Sequence, residues 1–267
     1  MTGLLAGLVE SGIELMSPDV VVGTSAGSVV GAQILSGVPI EDLFAAQLKA
    51  PAGEVAARMG VGALFGFVVN GLWPGDARVG RARLGRAAMK ARTVPEAERR
   101  AIIEGRLPAR LWPERKLIIT AVDAETGEAQ NFDRDSGVSL AEAVAASCAV
   151  PLVWPPITIN GRRYIDGGVR SSANADLAKG CERVVVLAPI ALALRRTGRI
   201  ETQLASLGPK VRSIVVTPDA NARNAIGRNV LDPARRVASA RAGHTQAAGA
   251  AAAVAAVWSG NGDGRPH

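Results

Sequence analysis

Residues 20–33, VVVGTSAGSVVGAQ, leave this chain few folds to choose from. Three valines make a short, continuously apolar run of the kind buried inside a parallel sheet. The small and apolar residues from Ala26 onward suit a helix. Between them stands Gly-Thr-Ser-Ala-Gly, so a strand passes into a helix within five residues. The alternation continues: KLIITAVDA (116–124), RVVVLAP (183–189) and VRSIVVTP (211–218) read as strands, and 26–35, 39–48, 139–150 and 197–208 as helices. Strands alternating with helices predict an α/β fold with a mainly parallel sheet.

Leu4, Leu5, Leu8 and Val9 share one face of an opening helix that ends near Gly12. ETGE turns the 116–124 strand into a short strand around Gln130 to Phe132. Ser139 and Glu142 form a capping box for the helix that Pro151 stops. RRYIDGG closes another short strand with a glycine pair. The segment from 51 to 115 is the least regular, with Pro74, Pro95, Pro108 and Pro113 as breakers, and reads as helices over the core. Within it, 61–73 (VGALFGFVVNGLW) is about half the length of a membrane span. It reads as packed helix, with a lid or a membrane-touching surface over Ser25 as the alternative. A long C-terminal helix, expected to break near Gly243, precedes SGNGDGRPH, read as a disordered tail. These features give one domain over 1–258, with 51–115 helical, and a tail over 259–267.

The formal net charge is +7. The cations are mainly arginines scattered among Ala and Gly, as in 80–100, with no basic run interleaved with aromatics, so no nucleic-acid partner is expected. Attraction to acidic lipid headgroups stays open. Cys148 and Cys181 have no metal-like spacing, sit in apolar surroundings and read as buried free thiols in a reducing compartment. The first helix lacks a basic segment ahead of its apolar residues and is broken by Glu10 and Glu14, unlike a secretory signal. A cytoplasmic protein, touching membranes peripherally at most, is the expectation.

Gly-X-Ser-X-Gly after a buried strand and before a helix is the nucleophile-elbow pattern. Gly23 and Gly27 leave room for the turn, Ser25 Oγ is pushed out at the strand's carboxyl end, and the Ala26 N–H points where an oxyanion would form. The competing reading is a capping serine in an ordinary turn. A nucleophilic serine needs a base. Of the two histidines, His267 ends the tail and His244 lies in an Arg-rich helix, so a carboxylate is the better candidate. Asp166 in Tyr-Ile-Asp-Gly-Gly ends a strand, and Gly167 and Gly168 let the backbone turn beneath it. Taken alone, that aspartate reads as the cap of an Asp-Gly turn. Asp123 and Glu125 read as a hairpin turn rather than an acid pair, and Arg162 and Arg163 as a solvated turn rather than a phosphate contact.

GTSAG at 23–27 and DGG at 166–168 resemble the serine and aspartate blocks of the patatin-like phospholipases. The likeness extends through PDVVVGTSAGSVVGAQILSG and AVAASCAVPLVWPPITINGRRYIDGGVRSSANADLA, including prolines 151, 155 and 156. It implies a three-layer α/β/α domain and a Ser25–Asp166 dyad that hydrolyses lipid acyl esters, phospholipase A-type, through an acyl-enzyme, without metal, cofactor or histidine. One departure stands out. The family carries a strand and a glycine-rich oxyanion loop ahead of its first helix, whereas MTGLLAGL is already that helix, with Gly3 as the loop's remnant. The 19–23 strand is therefore expected to have an open apolar edge, and the start to lie downstream of the true one, with a truncated and weakly active form as the alternative. A general carboxylesterase or thioesterase, and a non-catalytic membrane-associating module, are the alternatives.

Overall fold

The computed structural model describes residues 1–49, 75–191, 193 and 195–259. β1 (Val20–Thr24) pairs in parallel with β2 (Lys116–Asp123), in register from Val20 opposite Lys116 to Thr24 opposite Thr120. β3 (Ala129–Phe132) and β5 (Arg162–Asp166) pair antiparallel with β2, and β4 (Ile157–Ile159) pairs antiparallel with β5. β6 (Arg183–Leu187) and β7 (Arg212–Val216) form a separate parallel pair. The α/β class stands. The runs at 20–23, 116–124, 183–189 and 211–218 supply the strands that pair in parallel, and the antiparallel members are the short strands β3, β4 and β5.

The helices are α1 (Thr2–Glu10), α2 (Ala26–Ile34), α3 (Ile40–Gln47), α4 (Ala77–Lys90), α5 (Glu96–Glu104), α6 (Leu140–Ser147), α7 (Ile200–Ser206), α8 (Ala220–Ile226) and α9 (Arg236–Trp258). Side chains alternate across a strand, and the cores follow that alternation. Leu117, Ile119 and Ala121 of β2 pack with Val144 and Ala146 of α6, while Val122 packs with Ala88 of α4 on the opposite face. Val185 and Leu187 of β6 pack against α1 and α9, while Val184 and Val186 pack against Ile200 of α7. Helices thus cover both faces, giving three layers. Leu8, Ile119, Ile157 and Ile165 are fully buried, each worth about 1.5–3 kcal/mol of removed apolar surface.

The expected open edge of the first strand is present. Val20, Val21 and Val22 are only half-buried, although a central parallel strand is normally covered on both sides. One edge of β1 holds β2. The other lines a cavity that is bounded across the way by Val184–Leu187 of β6, and no described residue forms a strand between them.

Two local expectations change. The last helix is continuous through Gly243. Its role there is close packing: a Cβ on Gly3 would lie 2.0 Å from the Ala240 carbonyl oxygen, and one on Gly7 2.5 Å from Ala247 Cβ. Small residues on both helices bring α1 and α9 together, so the glycine serves a helix seam rather than a break. The second change is β4, which the sequence reading lacked. Asn160 (φ 49°) and Gly161 (φ 76°) join it to β5 in the left-handed conformations of a two-residue hairpin.

The capping box at Ser139 and Glu142 forms as read. α4 and α5 supply the helices expected between 51 and 115. Residues 61–73, with their packed-helix or lid reading, and the tail from 260 onward lie outside the described residues. No described helix is long and apolar enough to cross a membrane.

Candidate active site

β1 delivers Ser25 to the start of α2 in a conformation that a serine rarely adopts, with φ 53° and ψ −125°. Such a backbone costs on the order of 1–3 kcal/mol and persists only where its surroundings impose it. Here they do. The Ser25 N–H donates to Ser147 Oγ at 2.9 Å, and the Ser25 carbonyl accepts from the Ser28 N–H at 2.8 Å and Ser28 Oγ at 2.7 Å. Gly23 lets the strand and helix close on one another, since a Cβ there would sit 2.6 Å from Ser28 Cα. Gly27 is different from what the motif suggested. A Cβ there would meet no described atom within 4 Å, and Gly27 lines the cavity, so its missing side chain leaves space in front of Ser25.

Asp166 ends β5, 141 positions away, and Ser25 Oγ donates to its Oδ2 at 2.6 Å. The Asp166 N–H donates to the Ala149 carbonyl at 3.0 Å, just beyond the end of α6. Gly167 passes so close to β2 that a Cβ would stand 2.2 Å from Thr120 Oγ1 and 2.5 Å from its carbonyl oxygen. That approach aims the Gly168 N–H at Asp166 Oδ1, 2.7 Å away. One carboxylate oxygen is thus held by the backbone and the other by the serine. Asp166 is 4% exposed. Burial pushes its pKa up to about 6, against the opposing pull of the Ser25 hydroxyl, the Gly168 N–H and the Arg99 charge.

Asn174 ties the two loops together. It is 1% exposed, and its Nδ2 donates to Thr24 Oγ1 at 2.9 Å and Thr120 Oγ1 at 3.2 Å, and to the carbonyls of Ser171 at 2.9 Å and Gly167 at 3.4 Å. Thr24 and Thr120 hydroxyls are 2.9 Å apart. Ser147, Asn174 and Thr120 had no role in the sequence reading. Each is a common polar residue whose meaning depends on partners far along the chain. Arg99 was also missed. It is 5% exposed, its guanidinium lies 4.0 Å above the Trp154 ring, and it lines the same cavity as Ser25 and Asp166.

Ala26 is the first residue of α2 and lines the cavity. Its N–H is one of the first-turn donors without an acceptor inside the helix, at the positive end of the helix dipole. The described residues bound a cavity of about 1920 Å³ that holds Ser25 and Asp166 on one wall and carries apolar side chains such as Val30, Ile34 and Leu187. This arrangement can deprotonate a hydroxyl, present it to an electrophile, and receive an apolar chain beside it.

The other candidates fall elsewhere. His244 stacks on Phe44, ring centroids 4.7 Å apart, with Nε2 3.0 Å from Glu10; His267 lies outside the described residues. Asp123 accepts from the N–H groups of Glu125 and Thr126 and pairs with Arg162 at 2.9 Å, as a turn residue should. Arg163 donates to the Pro156 carbonyl. Cys148 is a buried free thiol pushed up to about 11 by burial, and Cys181, also free, is half-buried. Among the described residues no cluster of His, Cys, Asp or Glu has the makings of a metal site.

The profile of the patatin-like phospholipases matches residues 1–179. Among solved structures the chain is similar to VipD from Legionella pneumophila, with 13% identity and a TM-score of 0.42. The alignment covers 94% of this chain and 64% of that one, so the chain spans under two thirds of VipD's length. Comparison with curated proteins gives no match.

Proposed function

The chain belongs to the patatin-like phospholipase family, a family of serine-dependent lipid acyl hydrolases, and from that premise we propose that it cleaves lipid acyl esters through Ser25 and Asp166. In this mechanism Ser25 Oγ attacks the acyl carbonyl while Asp166 Oδ2 takes the hydroxyl proton along the existing hydrogen bond. The developing oxyanion is met by the Ala26 N–H. Asp166 then passes the proton to the departing alcohol, and water, activated by the same carboxylate, releases the acid from the acyl-enzyme. A free carboxylate is a poor base for an alcohol; burial brings Asp166 closer to the task by raising its proton affinity. No metal or cofactor enters these steps.

The observation that carries the reading is the 2.6 Å contact between Ser25 Oγ and a buried carboxylate, at a strained elbow on the wall of a partly apolar cavity. The substrate is a lipid or other acyl ester, and contact with the bilayer is peripheral. The test is hydrolysis of esters across short to long acyl groups by the parent chain, Ser25→Ala and Asp166→Ala, with folding of each checked by circular dichroism. Both substitutions should lower kcat by on the order of 10³-fold or more. Equal rates in folded parent and Ser25→Ala would refute the assignment. A serine-directed fluorophosphonate should label the parent and not Ser25→Ala; a folded parent that stays unlabelled would favour a non-catalytic membrane-associating module.

A further inference from the structure

Asn174, which ties the serine loop to the aspartate loop, sits in a left-handed backbone conformation, with φ 49° and ψ 41°. Asparagine tolerates that region better than most residues, yet its surroundings must still impose it. Its side chain is committed elsewhere. Oδ1 accepts from Arg170 Nη1 at 2.6 Å, which turns Nδ2 toward Thr24, Thr120 and the Gly167 carbonyl. The backbone is held instead by two buried residues, Ser171 and Gln203. The Asn174 N–H donates to Ser171 Oγ at 3.2 Å, and the next N–H, that of Ala175, donates to Gln203 Oε1 at 3.0 Å.

These two acceptors are themselves joined. The Ser171 hydroxyl has one proton and two acceptors in reach, Gln203 Oε1 at 2.9 Å and the Gly198 carbonyl at 3.0 Å. Gln203 belongs to α7, and its Nε2 donates to the Thr197 carbonyl at 3.4 Å. The Ala175 N–H can only donate, so the amide oxygen of Gln203 faces inward. A chain of hydrogen bonds thus runs from α7 through Ser171 to Asn174, and on to Thr24 and Gly167, the residues next to Ser25 and Asp166 in sequence. Ser171, Asn174, Ala175 and Gln203 are all buried, so water is poorly placed to replace a lost partner.

We infer that Gln203 and Ser171 are positioning residues for acyl transfer. They hold Asn174 in its left-handed turn, so that it keeps Thr24 and Gly167, and with them Ser25 Oγ and Asp166 Oδ2, in register. The inference rests on the reading of Ser25 and Asp166 as the acyl-transfer pair. It adds that their alignment depends on α7, a helix that supplies neither of them. Without Gln203 Oε1, the Ala175 N–H is buried and unpaired, and the Ser171 proton has only the Gly198 carbonyl left. The turn at Asn174 then relaxes, and the contact between the two loops slackens.

The test compares the full chain with Ser171→Ala, Gln203→Met and the double variant. Ile200→Val serves as a control that trims core packing on the same helix. Folding is verified by amide NMR spectra. Two readouts are taken: kinetics on p-nitrophenyl butyrate, and the carbon-13 titration of the Asp166 carboxyl, identified by its loss in Asp166→Asn. Ser171→Ala and Gln203→Met should each lower kcat roughly tenfold with KM within about twofold. The double variant should lose no more than the worse single one, because both act on one chain of bonds. The Ser25 hydroxyl draws the Asp166 pKa down, so slackening that bond should raise the carboxyl midpoint in both variants. Ile200→Val should melt earlier and keep the parent's kcat and midpoint. A parent-like kcat or midpoint in the folded variants, losses that multiply in the double variant, or equal losses in Ile200→Val overturns the inference. Should Gln203→Met fail to fold, Ser171→Ala, which removes a single oxygen, decides. A parent no more active than Ser25→Ala sinks the acyl-transfer reading alone. The carboxyl midpoints then decide the positioning: raised values uphold it, and unchanged ones overturn it as well.

Discussion

The two edges of β1 are treated very differently. Its inner edge is bonded to β2 along five residues, and beyond that edge the structure is over-determined: Gly167 pressed on Thr120, Asn174 reaching four acceptors, Ser147 holding the elbow. Its outer edge faces a cavity with β6 on the far side. The atoms that must be fixed relative to one another, Ser25 Oγ and Asp166 Oδ2, are both positioned from the inner side. The outer side supplies volume, apolar wall and access. The contrast suggests that geometric precision and substrate space are assigned to opposite sides of one strand.

Substitutions on the two sides put that contrast at risk. Gly167→Ala should have the largest effect, because its Cβ would overlap β2 backbone: a loss of about 3 kcal/mol or more in chemical denaturation, with ester hydrolysis abolished. A well-folded, active alanine variant would mean the inner junction is looser than it looks. Asn174→Ala should cost about 2–3 kcal/mol, since it strips a donor from several buried acceptors at once, and should lower kcat more than it changes KM.

Asp166→Asn should move stability the other way. The Asp166 pKa is raised on folding, so the folded state binds a proton more tightly than the unfolded chain between pH 4 and about 6. Wild-type stability should therefore fall as pH rises through that window, and the burden of a buried carboxylate should remain in full above it. The asparagine variant should be more stable than the parent at pH 8 by on the order of 2 kcal/mol and should show no such pH trend, while hydrolysing nothing. Activity of the parent runs opposite to its stability: kcat/KM should rise with pH and level off above about 6, as the base loses its proton. A pH–rate profile with no inflection near 6 would remove Asp166 from the role of base. The smallest effect belongs to the outer edge. Val22→Thr, at a half-buried position, should change the melting midpoint by a few degrees at most; a cost like that of Asn174→Ala would show that this edge is tightly packed after all.

Local signals carried most of what the sequence disclosed. Valine runs, the glycines flanking Ser25, the Ser139–Glu142 box and the Asp-Gly-Gly turn are each legible within a few residues, and they placed both members of the Ser25–Asp166 contact. What stayed hidden was long-range. Ser147 accepts a hydrogen bond from a residue 122 positions away and Asn174 donates to one 150 positions away, and no short window encodes such partners. Gly243 looked like a helix break because its neighbour across the seam, α1, lies at the other end of the chain. The β4–β5 hairpin is the exception. Asn160-Gly161 was a readable turn signal, and the short, partly polar strands around it masked it.

The seam between α1 and α9 has a consequence for how the molecule comes to exist. α1, with Leu4, Leu5 and Leu8, is buried against α9, which the ribosome makes more than two hundred residues later. At translation rates of about 5–20 residues per second, the intervening chain takes roughly ten seconds to most of a minute to appear. Throughout that interval the leucines of α1 lack the cover that α9 gives them, so the nascent protein is a natural client for a chaperone that shields apolar helices until α9 arrives.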